Sequence, residues 1–328
     1  MNRTALSWVL VMVVVLTGVV AAYAGQEQST TYQVQEGDSL WKIAERFYGD
    51  GTKWTVIAEA NGIDVKNPRP LQIGEWLSIF VTLQAEQAFQ DYVVRIYRHL
   101  DSGEESFVVL RNGHRVYSSQ AGRFIYEDEK QASLVPMGKD ITGNGVPNLV
   151  MWEWTGGAHC CFISHVFEIG KKFRAIEKIF AGHTDPLGER VGFMDLDGDS
   201  NLEFVMYDWT FAYWRAGFAE SPAPKVILRS RDGAYRLAGD LMRKPAPDIT
   251  QLEERAQQIR ETWKTVGPPS DLWGYMLDLV YTGHADLAWL FFEMAWPPGF
   301  PGKEEFLSDF RAKLSESPYW PEIQALGD

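Results

Sequence analysis

The stretch YQVQEGDSLWKIAERFYGD (residues 32–50) decides how the N-terminal part of the chain folds. Tyr32, Gln33 and Val34 alternate as a short half-buried strand does. Glu36-Gly37-Asp38-Ser39 is a turn that offers Asp38 or Ser39 as a helix N-cap. Leu40, Ile43, Ala44 and Phe47 then recur at helical spacing, which predicts one apolar stripe on a helix ending near Gly49. Further on, Trp54, Ile57 and Ala58 before Asn61-Gly62 predict a second short helix with a left-handed stop. Asn67-Pro68-Arg69-Pro70 breaks the chain, and EWLSIF (residues 75–80) reads as a returning strand. A βααβ module is therefore expected over residues 32–82.

Upstream of it, residues 1–24 read as a signal peptide: Arg3, an apolar run over residues 8–20, then Ala22-Tyr23-Ala24 as a small-x-small cleavage site. The run is slightly short for a hydrocarbon core of ~30 Å, which favours a cleaved leader over a retained anchor. No Cys follows it for lipid attachment, and no later stretch is apolar enough to span. Residues 25–31 are a polar linker. The chain is therefore expected to be exported, to a compartment such as the periplasm, with no membrane span after cleavage. The net charge of −13 argues against a nucleic-acid partner, because polyanion binding depends on Lys and Arg neutralising phosphates. With 45% hydrophobic and 23% charged residues, 328 residues suffice for two or three folded domains.

Downstream, residues 83–91 look like a short linker, possible as a brief helix. Residues 92–241 have the texture of strands, with a hairpin turn at Asn112-Gly113 and another at Asp232-Gly233. Within this region DITGNGVPNLVMWE (residues 140–153) aligns without a gap on DLDGDSNLEFVMYD (residues 195–208) at an offset of 55. Each copy is a polar loop feeding a strand, so blade-like β units sharing a core are expected; two copies are too few for a closed propeller. Residues 242–328 change to a helical period. Asp248 caps one helix, Trp273, Met276, Leu277 and Val280 line a second, and Leu287, Leu290, Phe291 and Met294 line a third. The expected class is α+β and multidomain: a βααβ module, a β-rich repeat domain, and an acidic helical C-terminal segment.

The wording VQEGDSLWKIA (residues 34–44), IAEAN (57–61) and LQIGEWL (71–77) resembles the LysM family. That resemblance covers about one seventh of the chain. It implies a shallow groove that holds N-acetylglucosamine-containing glycan such as peptidoglycan, between Gly37, Asp38, Ser39 and Leu40 on one loop and Ile63, Asn67, Pro68 and Leu71 on the other. Acetamido sugars need small polar hydrogen-bonders beside an apolar floor, and both loops supply them. The same Gly37-Asp38-Ser39 turn also serves as a helix cap. A single copy implies weak binding, so avidity would come from elsewhere.

Asp195, Asp197, Asp199, Asn201 and Glu203 place oxygen ligands at positions 1, 3, 5, 7 and 9 of a tight loop, which suits calcium. Position 12 is Met206 in a strand, so this is not an EF-hand. The loop resembles the calcium loops of FG-GAP, integrin-like repeats. Its counterpart at Asp140, Thr142 and Asn144 has lost two of three carboxylates. The alternative is an Asp-rich turn satisfied by its own amides. The two cysteines, Cys160 and Cys161, are adjacent; a vicinal disulfide, free buried thiols, or a redox or metal site with His159 and His165 are the open readings. Serine-elbow, HExxH, P-loop and Rossmann signatures are missing. The expected function is thus a non-catalytic envelope protein that binds glycan and presents a calcium-stabilised β domain to another envelope protein. The rival is a peptidoglycan-remodelling hydrolase with its active site in the β-rich domain, where two spaced carboxylates would be enough.

Overall fold

A computed structural model describes residues 30–119, 122–125, 135–157, 161–185, 191–263 and 267–327. The leader and most of the first linker lie outside this set, as do His159 and Cys160. Among the described residues no helix is long and apolar enough to cross a membrane.

The N-terminal module has the βααβ order. Strand β1 (Thr30–Gln33) pairs antiparallel with β2 (Trp76–Ile79), from Thr30 opposite Ile79 to Gln33 opposite Trp76. Helix α1 (Leu40–Tyr48) starts where Ser39 accepts the Lys42 amide and stops at Gly49, whose φ of 69° turns the chain out of the helix. A single 3-10 turn at Gly51–Lys53 leads into α2 (Trp54–Ala60). Asn61 then fastens α2 to the sheet: its amide donates to the Ile57 and Ser78 carbonyls and its oxygen accepts the Ser78 amide. Ile43, Ala44, Ile57, Ala58 and Ile79 are fully buried between helices and strands. Each side chain of Ile or Leu size buried this way contributes roughly 1.5–3 kcal/mol.

Three antiparallel four-stranded meanders follow. The first comprises β3 (Val81–Phe89), β4 (Tyr92–His99), β5 (Glu105–Arg111) and β6 (His114–Ser118). The second comprises β7 (Phe124–Ile125), β8 (Asn148–Trp154), β9 (Phe162–Ile169) and β10 (Phe173–Gly182). The third comprises β11 (Gly192–Met194), β12 (Glu203–Tyr207), β13 (Lys225–Arg231) and β14 (Ala234–Leu237). The hairpins at Asn112-Gly113 and Asp232-Gly233 have positive φ at both central residues, the geometry that fits strand twist.

Residues 83–91, expected to be a linker, are instead mostly strand β3, paired with β4 from Val81 opposite His99 to Phe89 opposite Tyr92. Its polar wording gives little local strand signal. Pairing with β4, and Ala85 and Phe89 packing onto the core between the first two sheets, make the strand.

The module and the first sheet share one core. Val81, Tyr97 and Val108 bury with the module's residues, and the Phe47 and Tyr97 rings meet edge to face at 5.2 Å. Buried Ser106 donates to the Phe47 carbonyl at 2.6 Å, and His99 Nε2 lies 3.0 Å from Ser106 Oγ. That hydroxyl has spent its proton on the carbonyl, so Nε2 is the donor to it.

The C-terminal helices are α3 (Gly239–Met242), α4 (Ile249–Thr262), α5 (Ser270–Tyr281), α6 (Ala285–Ala295), α7 (Lys303–Leu314) and α8 (Trp320–Gln324). Asp248 and Gln251 form a capping box at the start of α4. These helices close the largest core over the third sheet. The buried face of α6 is Ala288, Phe291, Phe292 and Ala295, whereas Leu290 is exposed. The expected stripe is rotated because α6 is apolar nearly all round, which leaves the period ambiguous.

Candidate functional site

The module's groove is a cavity of about 460 Å³ walled by Asp38, Ser39, Leu40, Trp41, Trp54, Pro68, Arg69, Pro70 and Leu71. Five residues expected from sequence line it: Asp38, Ser39, Leu40, Pro68 and Leu71. Three do not. Ile63 is buried at 4% exposure in the module core, Asn67 is an exposed turn residue, and Gly37 makes the turn with φ +82° while its carbonyl accepts Lys42 Nζ.

Asp38 is as much a clamp as a wall. One carboxylate oxygen accepts Tyr32 Oη at 2.6 Å and the Gln35 amide at 2.8 Å, and the other meets Arg46. Arg46 also bonds Tyr32 Oη and lies over its ring. Burial, and then the hydrogen bond to Asp38, push the Tyr32 phenol up to about 12. The carboxylate therefore fixes the loop, and the ligand-facing hydrogen-bonders left over are backbone groups and Ser39.

Trp41, Trp54 and Arg69 line the groove but were not picked out from the sequence. Trp41 is half exposed and sits one residue off the α1 stripe. Its indole lies flat on Gly51: a Cβ on that glycine would stand 2.2 Å from Trp41 Nε1. Arg69 is held by Glu75 at 2.9 Å. An exposed Trp beside a capping turn, followed ten residues later by a glycine, is the signal that could have revealed the pair. Chemically, two indole faces and backbone polar groups suit a pyranose ring bearing an amide.

The second candidate is the Asp195 loop. Asp195 accepts the amides of Gly198 at 2.7 Å and Ser200 at 3.1 Å, and Asp199 accepts the Asn201 amide at 2.8 Å. The Asp199 carboxyl is held below its ordinary range, first by that backbone hydrogen bond. Ligand oxygens of Asp195, Asp197 and fully buried Glu203 lie within 4.8 Å of one another. Asp199 is not part of that carboxylate cluster, and its carboxylate instead accepts from Asn201. Arg229 enters it from β13, 2.5 Å from Asp197, 3.0 Å from Glu203 and 3.0 Å from Asp240. The donor set has the hard oxygen chemistry of a calcium ligand group, but a guanidinium already supplies the positive charge there.

The Asp140 loop repeats the backbone pattern at the same offset. Asp140 accepts the amides of Gly143 at 2.9 Å and Gly145 at 2.7 Å. The Ile141 amide donates to Asn148 as the Leu196 amide donates to Glu203. The two loops touch, with the Leu202 amide bonded to the Ile141 carbonyl at 3.0 Å. Of the cysteine pair, Cys160 lies outside the described residues, and Cys161 borders a separate cavity near Phe180 and Trp209. His165 is buried and bonded to Glu153 at 2.7 Å.

Residues 32–80 match the LysM domain family. A stretch of 148 residues, 44% of this chain and 22% of the relative, is 29% identical to an uncharacterized protein, y4bJ, of Sinorhizobium fredii (strain NBRC 101917 / NGR234). A shorter stretch of 31 residues, 10% of this chain and 14% of the relative, is 55% identical to an uncharacterized protein, YqbP, of Bacillus subtilis (strain 168). The chain thus spans less than a quarter of either relative's length. No solved structure matches the chain. The N-terminal module is a LysM domain, and a LysM domain suggests binding of peptidoglycan or a related N-acetylglucosamine polymer.

Proposed function

We propose that this is an exported cell-envelope protein that holds peptidoglycan glycan in the groove between Ser39, Trp41, Trp54 and Leu71, without cleaving it. The observation that carries this reading is the pair of indole walls beside the capped turn in a module of the LysM family. Pyranose rings present C–H faces that rest on indoles, and their acetamido groups take hydrogen bonds from the adjacent backbone. The first sheet is joined to the module through the Phe47, Tyr97 and Ser106 contacts, and in this reading the sheets present the binding surface for a second envelope protein.

The Asp195 loop is proposed as a calcium site of FG-GAP type, stabilising the repeat pair rather than taking part in chemistry. Asp195, Asp197 and Glu203 would hold the ion, and Arg229 would have to yield part of its hold on Asp197 and Glu203. Calcium affinity is therefore expected to be weak. The Cys160 and Cys161 pair is proposed as a vicinal disulfide, checked by intact mass before and after thiol alkylation.

Co-sedimentation with purified peptidoglycan, with soluble fragments scored over time, tests the main reading. The protein is expected in the pellet, with no fragments released. Absence from the pellet defeats the glycan reading, and release of fragments transfers the function to a hydrolase in the β region.

A further inference from the structure

A second cavity, of about 270 Å³, opens where the second and third sheets meet the C-terminal helices. Its wall is built by a local irregularity. Strand β10 loses register between Phe180 and Gly182, and Gly182 takes a φ of 57°. A side chain at Gly182 would begin 3.2 Å from Trp209 Cδ1, so the glycine lets the indole close against the strand. Trp209 is stacked on Phe218 at 5.0 Å with only 14° between the planes. The bulge leaves Phe180 with 59% of its surface in solvent at the cavity's edge. Bulges that re-aim a side chain commonly border binding sites.

Among the described residues that line this cavity, the one carboxylate is Asp208 and the one basic side chain is His183. Asp208 lines it, is 4% exposed, and accepts Tyr281 Oη at 2.6 Å, Ser317 Oγ at 2.5 Å and both the amide and hydroxyl of Thr210. All four donors are neutral, and among the described residues that line the cavity there is neither Lys nor Arg. The phenol of Tyr319, also on the wall, is pushed up first by burial and then by Asp208, Glu177 and Glu322. A buried carboxylate whose hydrogen-bond donors are all neutral, and the aromatic rings of Phe180, Trp209 and Tyr319 on the wall, favour positive charge in the space between them. The size suits a small head group and is too small for an oligosaccharide.

We propose that this cavity, bounded by Phe180, Asp208, Trp209 and Tyr319, binds a small organic ammonium group, such as the head of a hydroxyalkyl quaternary amine. The site is separate from the LysM groove and does not depend on glycan being its ligand.

Calorimetric titration of the purified protein with choline and with its neutral isostere 3,3-dimethylbutan-1-ol tests it. Choline is expected to saturate one site and to bind at least tenfold more tightly than the isostere. Phe180→Ala, at an exposed position, should weaken choline severalfold with an unchanged melting temperature, and Asp208→Asn should shrink the preference over the isostere. Equal binding of the two compounds, or no binding of choline, overturns the proposal. So does wild-type choline affinity in the Phe180→Ala protein, which keeps the test decisive if the Asp208 variant does not fold.

Discussion

The LysM module and the acidic loops of the β region hold their sites together in opposite ways. In the module every wall residue lies between Asp38 and Leu71, and the indole of Trp41 rests on a glycine ten positions away. At the acidic loop, Glu203 depends on Arg229, reached only across a strand pair, and the Leu202 amide reaches back to Ile141 in the partner loop. The groove is an open, nearly neutral surface, and the loop is a charge balance. Binding at the first should thus be separable from stability, and stability at the second should be separable from glycan binding.

Glu203→Ala tests this separation with the largest expected effect. It strands Arg229 beside buried surface and leaves the Leu196 amide without its acceptor, although Asp197 and Asp240 still hold the guanidinium. A loss of about 3 kcal/mol in unfolding free energy is expected from denaturant melts. Peptidoglycan retention should be unchanged; a parallel loss of retention would show that the two regions are energetically coupled.

His99 stands where the module meets the first sheet, beside Tyr48 and Ser106. Its Nε2 donates to Ser106, and its buried Nδ1 has no hydrogen-bond partner among the described residues. Burial, then the charge of Lys53, lower its pKa from 6.5 to about 4. The folded protein therefore refuses a proton that the unfolded chain accepts. Stability should be flat above pH 6.5 and fall as pH drops from there toward 4, by about 3 kcal/mol at most from this one group. Melts of the wild type and of His99→Gln across that window check it. The variant should lose part of the slope, and an identical slope would remove His99 from the account.

Trp41→Ala acts on the groove alone. Trp41 is half exposed, so the melting temperature should move little, while retention on peptidoglycan should fall about tenfold, a change of roughly 1.4 kcal/mol. A variant that is retained as well as the wild type would place the glycan elsewhere.

The same contrast explains what could be read in the sequence. The module was legible because its cap, stripe, glycine stop and breaker are all local signals. The Asp140 and Asp195 loops were legible as a pair because their wording recurs at the 55-residue offset, and the Gly143-to-Asp140 and Gly198-to-Asp195 bonds recur with it. Strand β3 was not, because residues 83–91 become a strand only through β4. Trp41 gives no periodic signal because it lies off the buried stripe, and Ile63, expected at the groove, is claimed by the core. Arg229 carries no motif at all. Its position is set by the register of β13 against β12, with Leu228 opposite Phe204, and pairwise register is not written in either strand alone.

The smallest effect is the one that most directly tests the charge balance. Arg229 and a divalent cation compete for the Asp197 and Glu203 oxygens. Arg229→Gln removes the internal cation and keeps one donor, near the position of the Nε that meets Glu203, while losing the terminal nitrogens that meet Asp197 and Asp240. The variant should be less stable without calcium, because three carboxylates are left close together without their cation. It should also bind calcium severalfold more tightly than the wild type, and added calcium should restore more of its melting temperature. If the wild type and the variant respond to calcium alike, the ion binds elsewhere. If neither responds, Asp195 and Asp199 are turn residues satisfied by the amides they already accept, and Arg229 is the permanent cation of the loop.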